Sequence, residues 1–207
     1  MYNKLTYLFD PLCGWCYGAS PYLSSIAEAT DVKIELLPTG LFSGEGARQM
    51  DDDFAAYAWN NDQRIARLTG QGFTERYRES VLGNRQQYFD SGPATVALTA
   101  VSLTTPSREL DALKAMQQAR FINGQDIAEL KTLASILKSL ELEDAALMIK
   151  HPDADLLAAN RARVNLAQAL MREFDARGVP TFIADSGDKR WVMHASAIFS
   201  NPQIAAR

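Results

Sequence analysis

Leu5-Thr6-Tyr7-Leu8-Phe9-Asp10-Pro11-Leu12-Cys13-Gly14-Trp15-Cys16-Tyr17-Gly18-Ala19-Ser20-Pro21 begins as an apolar, aromatic-rich run, breaks at Asp10-Pro11 and resumes with two cysteines three positions apart. The run reads as a buried strand and the cysteines as the opening of a helix. Residues i and i+3 in a first helical turn have Cα atoms roughly 5 to 6 Å apart, inside the range a disulfide tolerates, so Cys13 and Cys16 can bond with little backbone movement. A sulfur at a helix start faces unpaired N–H groups and the positive end of the helix dipole, which favour a thiolate. Cys13 is therefore the candidate nucleophile. Cys16, one turn further in, is placed to resolve a mixed disulfide formed at Cys13.

Cys13 and Cys16 are the only cysteines among 207 residues. None is left for a structural cross-link, which fits a chain kept among reduced thiols better than a disulfide-stapled secreted domain. Two other readings of the pair stand beside redox catalysis: half of a zinc site, or two small buried hydrophobes. Zinc held within one chain needs four ligands, and only His151 and His194 could complete such a set. Neither histidine is assigned a role. A purely hydrophobic role sits poorly with a strand-to-helix junction.

Composition narrows the classes further. A hydrophobic content of 47% supports one substantial core, or a core with a satellite domain. The net charge of −4 offers no global basic surface for nucleic acid or anionic lipid. No run approaches the roughly 18 apolar residues of a membrane span. Met1-Tyr2-Asn3-Lys4 leads into about five apolar residues before Asp10-Pro11, too few for a signal-peptide core. A cytoplasmic protein without nucleic-acid or membrane partners is the expectation.

Beyond Pro21, which should kink its helix, Tyr22, Leu23, Ile26 and Ala27 keep a helical apolar face to about Ala29. Val32 to Leu37 reads as a strand stopped by Pro38. Strand, helix, strand implies a βαβ unit with parallel strands, its cysteines at the carboxyl end of the first. Residues 38–46 are turn-rich, with Leu41 and Phe42 as apolar exceptions that either plug the core or rim the site near Cys13. From Ala47 to about Ala176 the pattern is helical, with no convincing strand. Asp51-Asp52-Asp53 reads as a solvated first turn rather than a metal site. Phe73 to Leu82, Ala94 to Leu103, a helix capped by Ser107, a stripe of Ile127, Leu130, Leu133 and Leu137, and Glu141 to Ile149 follow. Asp155 to Ala176 forms a long amphipathic helix with Gly178 expected in the left-handed terminating position. Val179-Pro180-Thr181-Phe182-Ile183-Ala184 and Arg190-Trp191-Val192-Met193, joined by Asp185-Ser186-Gly187-Asp188, give a hairpin signal, and Ala195 to Ala206 a short final helix.

This order resembles the DsbA-like branch of the thioredoxin superfamily over the whole chain. The resemblance rests on the C-x-x-C after a strand, on Pro21 eight residues beyond the first cysteine, and on Val179-Pro180-Thr181 before a strand. Asp10-Pro11-Leu12-Cys13-Gly14-Trp15-Cys16-Tyr17-Gly18 is most similar to short FrnE-like predicted protein-disulfide isomerases that lack signal peptides. The resemblance implies an α/β thioredoxin fold with a large all-helical insertion. Residues 1–45 and 155–207 would form the thioredoxin-like domain and 46–154 the insertion. It also implies a cis Pro180 beside Cys13, with Val179, Pro180, Thr181 and Trp15 lining a substrate groove. The implied activity is thiol-disulfide exchange as reductase or isomerase through Cys13 and Cys16. It would need no organic cofactor and would act on protein or small-molecule thiols, glutathione among them.

Two departures bear on the chemistry. Typical periplasmic DsbA proteins carry a histidine between the cysteines, whereas Gly14-Trp15 is uncharged, so Cys13 should be less acidic and its disulfide less oxidising. Kappa-class glutathione transferases and 2-hydroxychromene-2-carboxylate isomerases share the architecture but usually place serine where Cys13 stands, which argues against non-redox isomerisation. Two rival classes remain: metal or iron–sulfur binding by Cys13/Cys16 pairs at a dimer interface, and a redox-gated binding module without catalysis.

Overall fold

β1 (Lys4–Phe9) runs through a four-stranded sheet of order β2-β1-β5-β6, with β2 (Lys33–Pro38) parallel to it and β5 (Thr181–Asp185) and β6 (Arg190–Met193) continuing antiparallel. The computed structural model describes residues 2–29, 31–193 and 199. Both faces of β1 are covered, which is why its sequence is a continuous apolar run rather than an alternation. Leu5, Tyr7 and Phe9 join the main core with Tyr22, Leu23 and Ile26. Leu8 joins a smaller cluster with Leu37, Ala167, Leu170 and Ile183 on the opposite face.

The chain leaves β1 through Asp10-Pro11-Leu12 into α1 (Gly14–Gly18), breaks at Ala19 and resumes as α2 (Ser20–Ala29). The kink expected from Pro21 takes the form of this break. Pro21 sits at the second position of α2, where a missing N–H removes no helical bond. β2 extends one residue further than expected, pairing Pro38 with Phe9. It is an edge strand, and a proline is tolerated there.

Between β2 and β5 lie α3 (Asp52–Thr69), α4 (Glu75–Tyr77) with a π-helical turn over Arg78–Leu82, α5 (Gly92–Thr104), α6 (Glu109–Phe121), α7 (Leu130–Ser139), α8 (Glu143–Met148) and α9 (Ala154–Glu173). The expectation of an uninterrupted helical region is corrected by a short antiparallel ladder between β3 (Arg48–Gln49) and β4 (Tyr88–Phe89). Two-residue strands are too short to show an alternating pattern. Three end signals also moved. Ser107 lies in a 3₁₀ turn (Pro106–Arg108) and does not cap α6. Phe73 precedes its helix, which Thr74 caps by accepting from Tyr77 N at 3.2 Å. The left-handed residue after α9 is Asp175, at φ 48, rather than Gly178. Asp51 caps α3 by accepting from Phe54 N at 2.7 Å, so the acidic run is a first turn, as read.

α5 is buried on most of its circumference through Ala94, Ala97, Leu98, Ala100 and Val101, and packs against α6, α8 and α9. Arg163 of α9 ties these layers together. Its guanidinium donates to Leu36 O at 2.7 Å and Thr99 Oγ1 at 3.1 Å, and it pairs with the buried Glu109 carboxylate. Burial pushes the Glu109 carboxyl up to about 7, against the lowering effect of Arg163. No helix of the described residues is long and apolar enough to cross a membrane. His151 is exposed in the bend between α8 and α9. His194 and the expected final helix lie outside the described residues, apart from Phe199.

Candidate active site

The sequence Asp10-Pro11-Leu12 forms a turn whose geometry the Asp10 side chain dictates. Its Oδ1 accepts from Leu12 N at 2.9 Å, and its Oδ2 accepts from Ser91 Oγ at 2.7 Å and Phe42 N at 3.1 Å. Cys13 N donates to Asp10 O at 3.1 Å. One buried carboxylate thus joins the end of β1, the loop after β2 and the start of α5. Burial raises the Asp10 pKa, and the bonds from Ser91, Leu12 and Phe42 together with nearby Arg120 pull it back. Phe42 is the plug of the two apolar loop residues, its ring 4.8 Å from that of Phe89, while Leu41 is exposed.

This turn delivers Cys13 to the N-cap of α1, where its carbonyl accepts from Tyr17 N at 3.0 Å. Cys13 is 8% exposed and Cys16 0%, and both carry free thiols. The Cys16 pKa is pushed well up, first by burial and then by its hydrogen bond to Cys13 and the proximity of the Cys13 sulfur. Tyr7 OH donates to Cys16 O at 3.1 Å and fixes the inner end of the pair to β1. Of the two cysteines, only Cys13 keeps any exposure.

The second wall comes from the far end of the chain. The Val179-Pro180 bond is cis, and Val179 O lies 3.8 Å from Cys13 Sγ. Thr181 faces inward, its Oγ1 donating to Gly178 O at 2.7 Å, so it braces the turn and does not reach the sulfurs. Trp15 is half-buried, its ring 5.4 Å from Phe199 and 5.8 Å from the Arg64 guanidinium of α3. The structure therefore brings Cys13, Cys16, Val179 and Pro180 together, with Trp15 at the margin and Thr181 behind. Among the described residues no group of three or more His, Cys, Asp or Glu is placed to hold a metal ion.

Asp62, Tyr77 and Arg120 belong to no sequence motif, yet they cluster behind Gly14 of α1. α3 lies along α1, and the two glycines of α1 make room for it. An ideal Cβ on Gly14 would stand 2.3 Å from Asp62 Oδ1, and one on Gly18 would stand 2.7 Å from Ile65 Cγ2. Asp62 is buried and accepts from Tyr77 OH at 3.0 Å. Burial pushes its carboxyl up to about 7, opposed by the Tyr77 bond and by Arg120. Arg120, 2% exposed, lies 5.5, 5.1 and 5.7 Å from the rings of Tyr77, Phe89 and Phe121. One buried cation thus lies near both Asp10 and Asp62.

Residues 4–200 match the DSBA-like thioredoxin domain. The cytosolic disulfide reductase DsbM from Pseudomonas aeruginosa is 31% identical, with 98% of this chain and 95% of that chain aligned at a TM-score of 0.88. A structure of the same reductase with GSH aligns at 30% identity, a TM-score of 0.87, and the same 98% and 95% coverage. A Nitrosomonas europaea protein, provisionally described as a protein disulfide isomerase, shares the fold at 20% identity and a TM-score of 0.78, over 100% of this chain and 95% of that one. No curated protein matched the chain.

Proposed function

Since the chain belongs to the DsbA-like thioredoxin domain family and is a thiol-disulfide oxidoreductase, we propose that it works in the cytoplasm as a disulfide reductase drawing electrons from glutathione. The observation that carries this reading is the asymmetry of the pair. Cys13 keeps 8% exposure, and Cys16 is fully buried. The Cys13 thiolate attacks a substrate disulfide, releases one thiol and holds the other as a mixed disulfide. Cys16 then gives up its proton, attacks the Cys13 sulfur and releases the second thiol, leaving Cys13 and Cys16 joined. One glutathione opens this disulfide at Cys13, and a second removes the first as glutathione disulfide. The sum is one substrate disulfide and two glutathiones giving two thiols and one glutathione disulfide.

The raised Cys16 pKa supports this division of labour. A thiol that stays protonated while Cys13 is free does not compete as first nucleophile. Val179 O, 3.8 Å from Cys13 Sγ, is an acceptor for an extended substrate backbone, and Trp15 offers an apolar margin. The bound GSH of the Pseudomonas reductase supports glutathione as the partner here, and that protein's cytosolic setting supports the compartment. The uncharged Gly14-Trp15 dipeptide fits the reducing direction.

The test is mass spectrometry of two variants exposed to glutathione disulfide. Cys16→Ser is expected to accumulate one glutathionyl group, mapped to Cys13, and Cys13→Ser none. Glutathionylation of Cys13→Ser at Cys16, or full turnover by either variant, contradicts the assignment.

A further inference from the structure

Trp15 stands between the two cysteines, and the guanidinium of Arg64, from α3, lies 5.8 Å from the centre of its ring. The packing beneath fixes how the two helices meet. Asp62 and Ile65 of α3 fill the room left by Gly14 and Gly18, standing 2.3 and 2.7 Å from the positions of ideal Cβ atoms there. Arg64 itself is exposed and has no carboxylate partner among the described residues. Other arginines of the helical region are neutralised: Arg48 pairs with Asp51, Arg78 with Glu75 and Arg85 with Asp52. The sequence of α3 explains the difference. One helical turn from Arg64 in either direction stand Asn60, Asn61, Arg67 and Leu68, none of them acidic. A chain of net charge −4 thus leaves a cation uncommitted at the margin of its cysteine pair.

We propose that Arg64 is a substrate-binding residue that receives a carboxylate of glutathione when that tripeptide reacts at Cys13. The assignment rests on the proposed reductase reading and supplies the means by which its electron donor is selected. Glutathione carries two carboxylates and, with its sulfur at Cys13, places one of them roughly 6 to 9 Å away, about the span of two to three residues. Trp15 follows Cys13 by two positions in the first turn of α1, and Arg64 lies against its ring, so the reach fits. A guanidinium resting on an indole keeps N–H groups along its edge for the two oxygens of a carboxylate. In the step concerned, the glutathione thiolate attacks the Cys13 sulfur and the Cys13–Cys16 bond breaks. Cys16 leaves with the electron pair and takes up a proton. Arg64 exchanges neither electrons nor protons; it holds the incoming tripeptide at Cys13.

A neutral thiol such as 2-mercaptoethanol reduces the same disulfide by the same bond changes, yet it offers Arg64 nothing to hold. Preference for glutathione over a neutral thiol is therefore the property this residue confers.

The experiment follows reduction of the oxidised full chain by glutathione, by its glycyl ethyl ester and by 2-mercaptoethanol, as second-order rates from acid-quenched free thiols. Wild type, Arg64→Gln, Arg64→Lys and Arg161→Gln are compared. Arg161 is an exposed arginine of α9, so its variant reports the loss of one positive charge in general. Arg64→Gln is expected to slow glutathione about three- to tenfold and 2-mercaptoethanol less than about 1.5-fold. Arg64→Lys should fall between Arg64→Gln and wild type, and Arg161→Gln should react as the wild type does. Salt at about 0.5 M should shrink the glutathione effect. A deficit that disappears with the ester assigns the glycyl carboxylate to Arg64, and one that persists assigns the γ-glutamyl carboxylate. Equal glutathione rates for wild type and Arg64→Gln overturn the role of Arg64 while leaving the reductase reading intact. The same slowing by Arg161→Gln, or with 2-mercaptoethanol, has the same force. A wild type whose Cys13–Cys16 disulfide glutathione does not reduce overturns both.

Discussion

Replacing Asp10 with alanine should be among the most costly single changes near the site, and its cost can be worked from the bonds. Leu12 N, Phe42 N and Ser91 Oγ donate to this carboxylate at 2.9, 3.1 and 2.7 Å. A buried donor left without an acceptor costs about 1–3 kcal/mol. The Ser91 hydroxyl can rotate toward another acceptor, so the two amides dominate and the loss is about 2–6 kcal/mol. Removing a carboxyl already strained by burial returns on the order of 1–2 kcal/mol. The expected net destabilisation is about 2–4 kcal/mol. Asp10→Asn keeps an oxygen for Leu12, lets Ser91 turn to accept, and leaves only Phe42 N facing an amide donor, for about 1–2 kcal/mol. Urea unfolding of the reduced protein, read as a shift in midpoint at constant slope, gives both values. The same loop sets the position of Cys13, so the exchange rate should fall in the same order. An Asp10→Ala protein within about 0.5 kcal/mol of wild type would refute the view that this carboxylate organises the turn.

Stability should also depend on pH with an unusual sign. Asp62 and Glu109 both rise to about 7 in the fold, from 3.8 and 4.5, so they bind protons more tightly folded than unfolded. Their contribution is full below the unfolded values and is lost as pH rises through 7, so unfolding at pH 5 should require more denaturant than at pH 8.5, by about 2–4 kcal/mol. Asp51, lowered by its cap, titrates below that window. Equal midpoints at the two pH values count against both assignments. Arg163→Ala leaves the buried Glu109 unpaired and should cost about 3–5 kcal/mol at pH 8, less at pH 5 where the carboxyl is neutral. Adding Glu109→Gln should recover part of the loss, and a penalty equal at both pH values would exclude the charge as its source. Gly18→Ala introduces a Cβ 2.7 Å from Ile65 Cγ2 and 3.2 Å from Thr69 Cγ2. Overpacking of about 1–3 kcal/mol should exceed the helix gain of roughly 1 kcal/mol, and a stabilised variant would show that α3 yields freely.

Much of the scaffold was legible because its signals are local. The uninterrupted apolar run of β1 announced a strand buried on both faces, and the cysteine spacing after Asp10-Pro11 announced the helix start. The cis Val179-Pro180 bond was legible only through family resemblance, since nothing in the residues around an isolated proline distinguishes the isomer. The short β3–β4 ladder was not legible at all, because two residues carry no period. Gly178 misled for a simple reason: α9 ends at Glu173, five positions before that glycine, and Asp175 takes the left-handed turn instead. Asp62 could have been found. It lies four residues after Ala58 and three before Ile65, on the apolar stripe of its own helix, and a carboxylate in that stripe has to be buried. What the sequence could not supply was its neighbour, because the contact with Gly14 joins elements 48 positions apart and depends on how α3 crosses α1. The same holds for Asp10, quoted in the motif yet satisfied by Phe42 and Ser91 from two later segments.

The central claim, a reducing dithiol at Cys13 and Cys16, is tested most directly by the equilibrium of that couple against glutathione at pH 7, read as free thiols and intact mass. A Cys13–Cys16 disulfide with a potential nearer to about −270 mV, the value for thioredoxin, than to about −120 mV, the value for DsbA, is the predicted result. A potential near the oxidising limit contradicts the reductase reading, and absence of an intramolecular disulfide at every poise contradicts the resolving role of Cys16.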